Sequence, residues 1–319
     1  MPRQPRIDSP GLLHHIIFRG IEQCNIVKDD TDRLNFVSRL DRLSRECNIN
    51  VYAWALLDNH VHLLVRSSDY GLAHFMRRLL TGHATTFNLR YKRHGHLFQN
   101  RYKSIVCDEE CYFLELVRYI HLNPIRAGII KTLEELRSYP WCGHAALVNR
   151  TYKSWQNRDA VLLHFGKKKK HAKENYELFL ADGLNQGERP ELIGGGLRRS
   201  QPEVGEVNDQ PEAYDDRILG NGAFVEQILQ QNEVNSTLVS PHEKQHLGDE
   251  FVKLTCMDKS ITLQEIQSGS RCQAVSQARR IIATELVQEY GWSSTAVARC
   301  LGVSTSAICK ILARARLVQ

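Results

Sequence analysis

Two histidines one residue apart, His60 and His62, lie in the run Ala55-Leu-Leu-Asp-Asn-His-Val-His-Leu-Leu-Val65. The run is strongly apolar, with Trp54 just upstream, and reads as a buried strand or strand pair. Side chains alternate along a strand, so Val61 enters a core on one face while both imidazoles leave together on the other. Two neutral imidazoles that close make half of a metal site. The alternative is a pair of satisfied histidines on a sheet face. A second set lies downstream, in Cys111-Tyr-Phe-Leu-Glu-Leu-Val-Arg-Tyr-Ile-His-Leu-Asn-Pro-Ile-Arg-Ala-Gly128. At about 100° per residue, Phe113, Leu116, Val117 and Ile120 form one apolar arc that must face a sheet, with Tyr112, Tyr119 and Asn123 along its edge. Tyr119 and Asn123 are four apart and stack one turn over the other. Pro124 disfavours a helical Asn123 and places it in the last turn. A phenol thus stands one turn from an amide oxygen that can ligate a hard cation; a tyrosine at the edge of a core is the alternative.

The elements that must position these groups follow from periodicity. Leu12 to Arg19 reads as a first strand, and Asp29 to Cys47 carries Leu34, Phe36, Val37, Leu40 and Leu43 at helical spacing. Strands follow at Val51–Asp58 and Val61–Arg66, then a helix at Leu72–Tyr91, a strand at Leu97–Val106 and a helix at Glu109–Leu122. The order β-α-β-β-α-β-α predicts an α+β, ferredoxin-like antiparallel sheet with packed helices. Beyond residue 150 the pattern weakens. The Lys167–Lys170 run reads as a boundary, the stretch from Gly194 to Asp216 as linker, and Ile218–Gln230 as a short helix. Helical periodicity returns at Gln273. The expected domains are 1–150, a linker region 151–217, an acidic and partly helical region 218–270, and a helical domain 271–319.

Formal charge is +6 overall, distributed as +6 over residues 1–150, +4 over 151–200, −9 over 201–270 and +5 over 271–319. Two basic regions flanking an acidic one fit a nucleic-acid contact at each end. The nine scattered cysteines form no C-x-x-C pair. With no apolar leader or spanning stretch, they point to a reduced, cytoplasmic setting.

In the C-terminal region, Val297, Ala298, Leu301, Gly302, Val303, Ile308 and Ile311 have the spacing of a helix-turn-helix: a small residue where the helices cross, a glycine in the turn, and apolar residues between them. Ser304 can cap the second helix, which puts Thr305, Ser306 and Lys310 near a DNA groove. An ordinary helical hairpin is the alternative.

The blocks Arg19-Gly20, Asn59-His-Val-His-Leu-Leu64, Gly95-His-Leu-Phe-Gln-Asn-Arg-Tyr-Lys-Ser104, Arg118-Tyr-Ile-His-Leu-Asn-Pro-Ile-Arg-Ala-Gly128 and Tyr139-Pro-Trp141 occur in one order. On these residues the chain resembles the single-tyrosine HUH transposases, in the branch called REP-associated tyrosine transposases, over about residues 1–150. It departs from that pattern at Asp58, at Asn100 and at Cys142-Gly143. The segment Gln273–Leu312 also resembles the DNA-binding domain of the replication initiator DnaA.

The first resemblance implies that His60, His62 and Asn123 hold Mg²⁺ or Mn²⁺ and that Tyr119 is the nucleophile. The implied activity is single-strand cleavage and strand transfer on hairpin-forming repeat DNA, through a 5′-phosphotyrosine link. Substrate contacts are expected from Arg77, Arg78, Lys92, Arg93, Arg101 and Lys103, with Arg101 and Lys103 on one face of a strand. His94 and His96 read as loop residues, and Cys107, Cys111 and His121 as packing. The alternatives are a non-catalytic DNA-binding regulator of repeat elements, or an HUH replication initiator or relaxase. Duplex DNA is a further expected partner of the C-terminal region; monomer and dimer both stay open.

Overall fold

Leu13–Arg19 (β1) is buried at every position but the last, which means that both of its faces are covered. In the computed structural model it lies inside a five-stranded sheet, flanked by His60–Arg66 (β3) and Lys103–Cys107 (β4). Asn50–Leu56 (β2) pairs with the far side of β3, and these four strands are antiparallel. Ile218–Leu219 (β5) then adds in parallel beside β4, so the sheet is mixed. The structure describes residues 6–148, 153, 155–187, 189, 192, 213–237, 241–270, 272–288 and 292–315.

Strand alternation divides the apolar residues between two cores. Ile16, Phe18, Val61, Leu63 and Val65 pack with Phe36, Leu40 and Leu43 of α1 (Asp30–Glu46) and with Phe75, Met76 and Leu79 of α2 (Leu72–Arg90). Leu13, Ile17, Leu64 and Ile105 meet α3 (Glu109–Arg126) through Phe113, Leu116, Val117 and Ile120, the predicted arc. A register shift between Val51 and Ala53 of β2 sends Trp54 and Leu56 to the first core, and Ala53 and Ala55 to the second. The two small alanines let α3 lie close to the sheet.

Several expectations need correction. The strand predicted from Leu97 begins only at Lys103. Upstream of it the chain runs irregularly past the end of β1, with Ile21 N–H donating to the Leu97 carbonyl and Gln99 N–H to that of Arg19. α3 continues through Pro124 to Arg126; the proline lies in the last turn, where the N–H it lacks costs one helical bond. α4 (Leu133–Ser138) and α5 (His144–Val148) end the expected first domain, and within the expected linker α6 (Arg158–Leu163) and α7 (Lys169–Asp182) follow. Lys169 and Lys170 open α7 rather than marking a boundary, and Ala172, Tyr176 and Leu180 form its buried stripe. Ile218–Leu219 is a strand, with α8 (Gly222–Thr237) after it. The glycine run at 194–196 lies outside the described residues.

The chain divides into two units, Met1–Asn232 and Glu233–Gln319. The second is helical: α9 (Pro241–Asp258), α10 (Leu263–Gln267), α11 (Gln273–Gln288), α12 (Ser294–Cys300) and α13 (Thr305–Ala315). Val297, Ala298, Leu301 and Ile308 are buried against Ile266, Ala278 and Ile282. The bend between α12 and α13 is 110°, within the range of a helix-turn-helix. Among the described residues no single helix is long and apolar enough to cross a membrane.

Gly302 sits in that turn at φ +64°, and a Cβ there would lie 2.7 Å from the Gln267 carbonyl oxygen. Gly302→Ala should therefore destabilise the second unit by about 1–3 kcal/mol, from left-handed strain and the clash together. Thermal unfolding followed by circular dichroism should show that loss, with the unfolding of the first unit unmoved.

Candidate active site

The register of β3 between its neighbours builds the site. Ile17 of β1 and Ala55 of β2 lie opposite His62, and Arg19 lies opposite His60, so these side chains share the face covered by α3. Tyr119 comes down from α3 onto the same patch. Its ring centroid is 5.6 Å from that of His62 and 6.0 Å from that of His15, and the His60 and His62 rings are 5.1 Å apart. Tyr119, Asn123 and His62 are buried and His60 is half-buried. Asn123 stands one turn beyond Tyr119, where its Nδ2 donates to the Tyr119 carbonyl at 2.9 Å and leaves Oδ1 for another partner. It makes no hydrogen bond to either histidine among the described residues.

Hydrogen bonds select which ring nitrogen each histidine offers. The Asn59 amide is oriented by its Nδ2 donating to the Gln23 carbonyl at 3.3 Å. Its Oδ1 therefore accepts from His60 Nδ1 at 2.6 Å. His62 Nδ1 lies 3.0 Å from His15 Nε2. With Nδ1 engaged in both rings, Nε2 is the atom each has for a ligand.

Burial pushes the His60 pKa down to about 4, with Arg19 adding to the shift. Burial also holds His62 well below its ordinary value, reinforced by His15, His60 and Arg19. Both rings are neutral near pH 7, the form that binds metals. The donor set thus fits a divalent cation. Among the described residues no group of three His, Cys, Asp or Glu gathers as a metal cluster. A cation on His60 and His62 would complete its shell from an amide oxygen, substrate or water.

The expected DNA-contact residues are placed unequally. Lys103 lies opposite Ile17, on the histidine face. Arg77 is exposed on α2, and Lys92 is exposed just past its end. Arg93 packs its guanidinium carbon 5.7 Å from the Phe87 ring centroid. Arg78 pairs with Glu46 and ties α2 to the end of α1, so part of its charge is already answered. Arg101 lies in a bend before β4, so the expected same-face pairing with Lys103 along a strand does not hold. In the second unit Thr305, Ser306 and Lys310 are exposed on α13, and the Ser304 hydroxyl caps it by accepting from Ala307 N–H at 3.2 Å.

Sequence reasoning missed His15, Arg19 and Arg126. Strand alternation puts His15, Ile17 and Arg19 on one face, but only the register shows that this is the face of His60 and His62. Arg126 is seven residues from Tyr119, two turns along the same side of α3, and its guanidinium carbon lies 5.2 Å from the Tyr119 ring centroid.

Residues 9–123 match the family model described as "Transposase IS200 like". No curated protein matches the chain. Among solved structures, a REP-associated tyrosine transposase bound to a REP hairpin is similar at 16% identity, over 50% of this chain and 98% of that one. Its TM-score is 0.40. His60, His62, Tyr119 and Asn123 all fall inside the segment that matches the IS200-like transposase family.

Burial of these imidazoles makes stability depend on pH. His14 and His15 are pushed down to about 4 and His144 to about 3, each mainly by burial. An unfolded histidine takes up its proton near pH 6.5, whereas the folded rings stay neutral, so stability is full above about 6.5 and falls as pH drops toward 4. At pH 5 the loss is at most about 2 kcal/mol per histidine. The urea midpoint of the first unit should therefore fall clearly between pH 7 and pH 5; an unchanged midpoint would contradict neutral burial.

Proposed function

We propose that the chain is a metal-dependent single-strand DNA endonuclease and strand transferase, a transposase acting on hairpin-forming repeat DNA through a 5′-phosphotyrosine intermediate. The observation that carries this reading is the convergence of Tyr119 with His60 and His62 inside the segment that matches the IS200-like transposase family. The repeat hairpin as substrate rests on the sequence resemblance.

On this reading His60 and His62, through Nε2, and Asn123, through Oδ1, hold Mg²⁺ or Mn²⁺. When bound, that cation polarises the scissile phosphate and stabilises the charge that develops on it. Tyr119 Oη gives up its proton and attacks the phosphorus, the bond to the 3′ oxygen breaks, and the leaving oxygen takes up a proton as a 3′-hydroxyl, so no proton is gained or lost overall. The 5′ end stays on Tyr119, which conserves the bond energy. A later attack by a 3′-hydroxyl rejoins DNA and returns the phenol. Burial of Tyr119 against His15 and His62 holds the nucleophile in place and limits access of water to the link. Arg19 and Lys103 lie on the same face and would meet phosphate oxygens. In the second unit, α13 is the element suited to a duplex or hairpin groove, with Thr305 and Ser306 at its N-terminal end and Lys310 one turn on.

The test is incubation of the full chain with labelled single-stranded DNA that carries its own flanking repeats. A covalent adduct is expected with Mn²⁺, none with EDTA, and none for Tyr119→Phe. Binding to the hairpins without any adduct would instead support the regulator. For the second unit, Lys310→Ala should weaken binding to all duplex sequences alike and reduce the salt slope of the affinity by about 1. Loss at one sequence only would argue against a phosphate contact.

A further inference from the structure

His62 would be an effective ligand through Nε2 only if its proton sits on Nδ1, and nothing in the imidazole itself enforces that choice. The structure contains a chain of partners that does. The Leu192 carbonyl oxygen lies 2.8 Å from His15 Nδ1. A carbonyl can only accept, so His15 carries its proton on Nδ1 and donates it there. A neutral imidazole has a single N–H, which leaves His15 Nε2 as a bare acceptor. That atom is 3.0 Å from His62 Nδ1, so His62 must hold its proton on Nδ1 and donate. Its Nε2 is then the lone pair. His15 is fully buried and His62 nearly so, so water does not offer either ring an alternative partner.

We propose that His15 is a positioning residue: fixed by the Leu192 carbonyl, it commits His62 to the tautomer whose Nε2 can bind the metal. The metal half of this statement rests on the function proposed above; the tautomer half does not. The acceptor comes from a segment far beyond residues 9–123, the part that matches the IS200-like family, so the later chain takes part in setting the site. His60 does not need the same device, because Asn59, the residue before it, supplies its acceptor. A central strand carrying two histidines on one face thus uses a local partner for the half-buried ring and a distant relay for the buried one.

The experiment uses the full chain with ¹⁵N-labelled histidine and no metal, and reads ring protonation from two-bond ¹H–¹⁵N correlations. The His15 and His62 signals are assigned by their loss in His15→Phe and His62→Asn. Both rings should be Nδ1–H tautomers in the wild-type protein. Nε2–H on His62 there would overturn the proposal with no variant involved. His15→Phe keeps a ring against His62 and Tyr119 but has no acceptor, whereas His15→Gln restores one. Mn²⁺ affinity, titrated by electron paramagnetic resonance without DNA, should fall about 10–100-fold in His15→Phe and largely recover in His15→Gln. Unchanged affinity in a folded His15→Phe would also overturn it. No Mn²⁺ binding by the wild-type protein would defeat the metal reading of His60 and His62, while the tautomer spectrum would still decide whether His15 governs His62.

Discussion

Because side chains alternate on a strand, a slip of one residue in the pairing of β3 with β1 would carry His60 and His62 to the α1 and α2 face and bring Val61 and Leu63 beneath Tyr119. The apolar pattern forbids it. Val61, Leu63 and Val65 fill the first core together with Ile16 and Phe18, and the slip would expose that core to imidazoles and arginine. The same register places Arg19 beside His60 and Ala55 beside His62. The site is therefore fixed by hydrophobic burial on the face opposite to it. Its precision comes from the stiffness of a central strand, not from a loop.

Covering the histidine face has a cost that the surrounding helices must offset. α3 is buried on both sides, and its outward polar groups need partners. His121 Nδ1 and His144 Nδ1 both meet the Tyr176 hydroxyl of α7, at 2.8 and 3.0 Å. One hydroxyl can donate to one ring and accept from the other, which answers both ring nitrogens at once. Arg118 is paired with Glu115 and lies 4.2 Å over the Phe179 ring. Removing α7 would strand these groups in an apolar setting. The helix that presents Tyr119 is thus clamped between the sheet and a layer lying beyond the IS200-like segment.

What was legible in the sequence was local. The arc of α3 and the edge position of Tyr119 and Asn123 follow from a period of 3.6, and the shared face of His60 and His62 from a period of 2. The turn glycine at 302 and the cap at Ser304 were readable for the same reason. What escaped depended on distant partners. Nothing near Arg78 in sequence shows that Glu46 of another helix will answer it. The Lys167–Lys170 run suggested a boundary because charge masked the stripe of Ala172, Tyr176 and Leu180 that follows. A strand of two residues such as β5 carries too little periodicity to be told from a helix start. His15 looked like one more residue of a buried strand until β3 and Leu192 were placed around it.

On the proposed reading, chemistry and target choice are separate problems with separate parts. Histidine, tyrosine, amide and the flanking Arg19 and Lys103 all address a phosphodiester, which is the same at every step of a DNA strand. Such a centre can cut any strand threaded through it, so selectivity has to come from groups that read bases or shape. α13 offers two hydroxyls and an ammonium group at a helix N-terminal half, on a unit whose last segment, 271–319, carries a charge of +5. Its polar end suits groove contacts, while the buried Val297, Leu301 and Ile308 behind it fix its angle. On that reading, readout and cleavage fall to different units of the chain. The His15–His62 relay then needs to serve only the invariant half of the task, and that half is the one built into the stiffest part of the sheet.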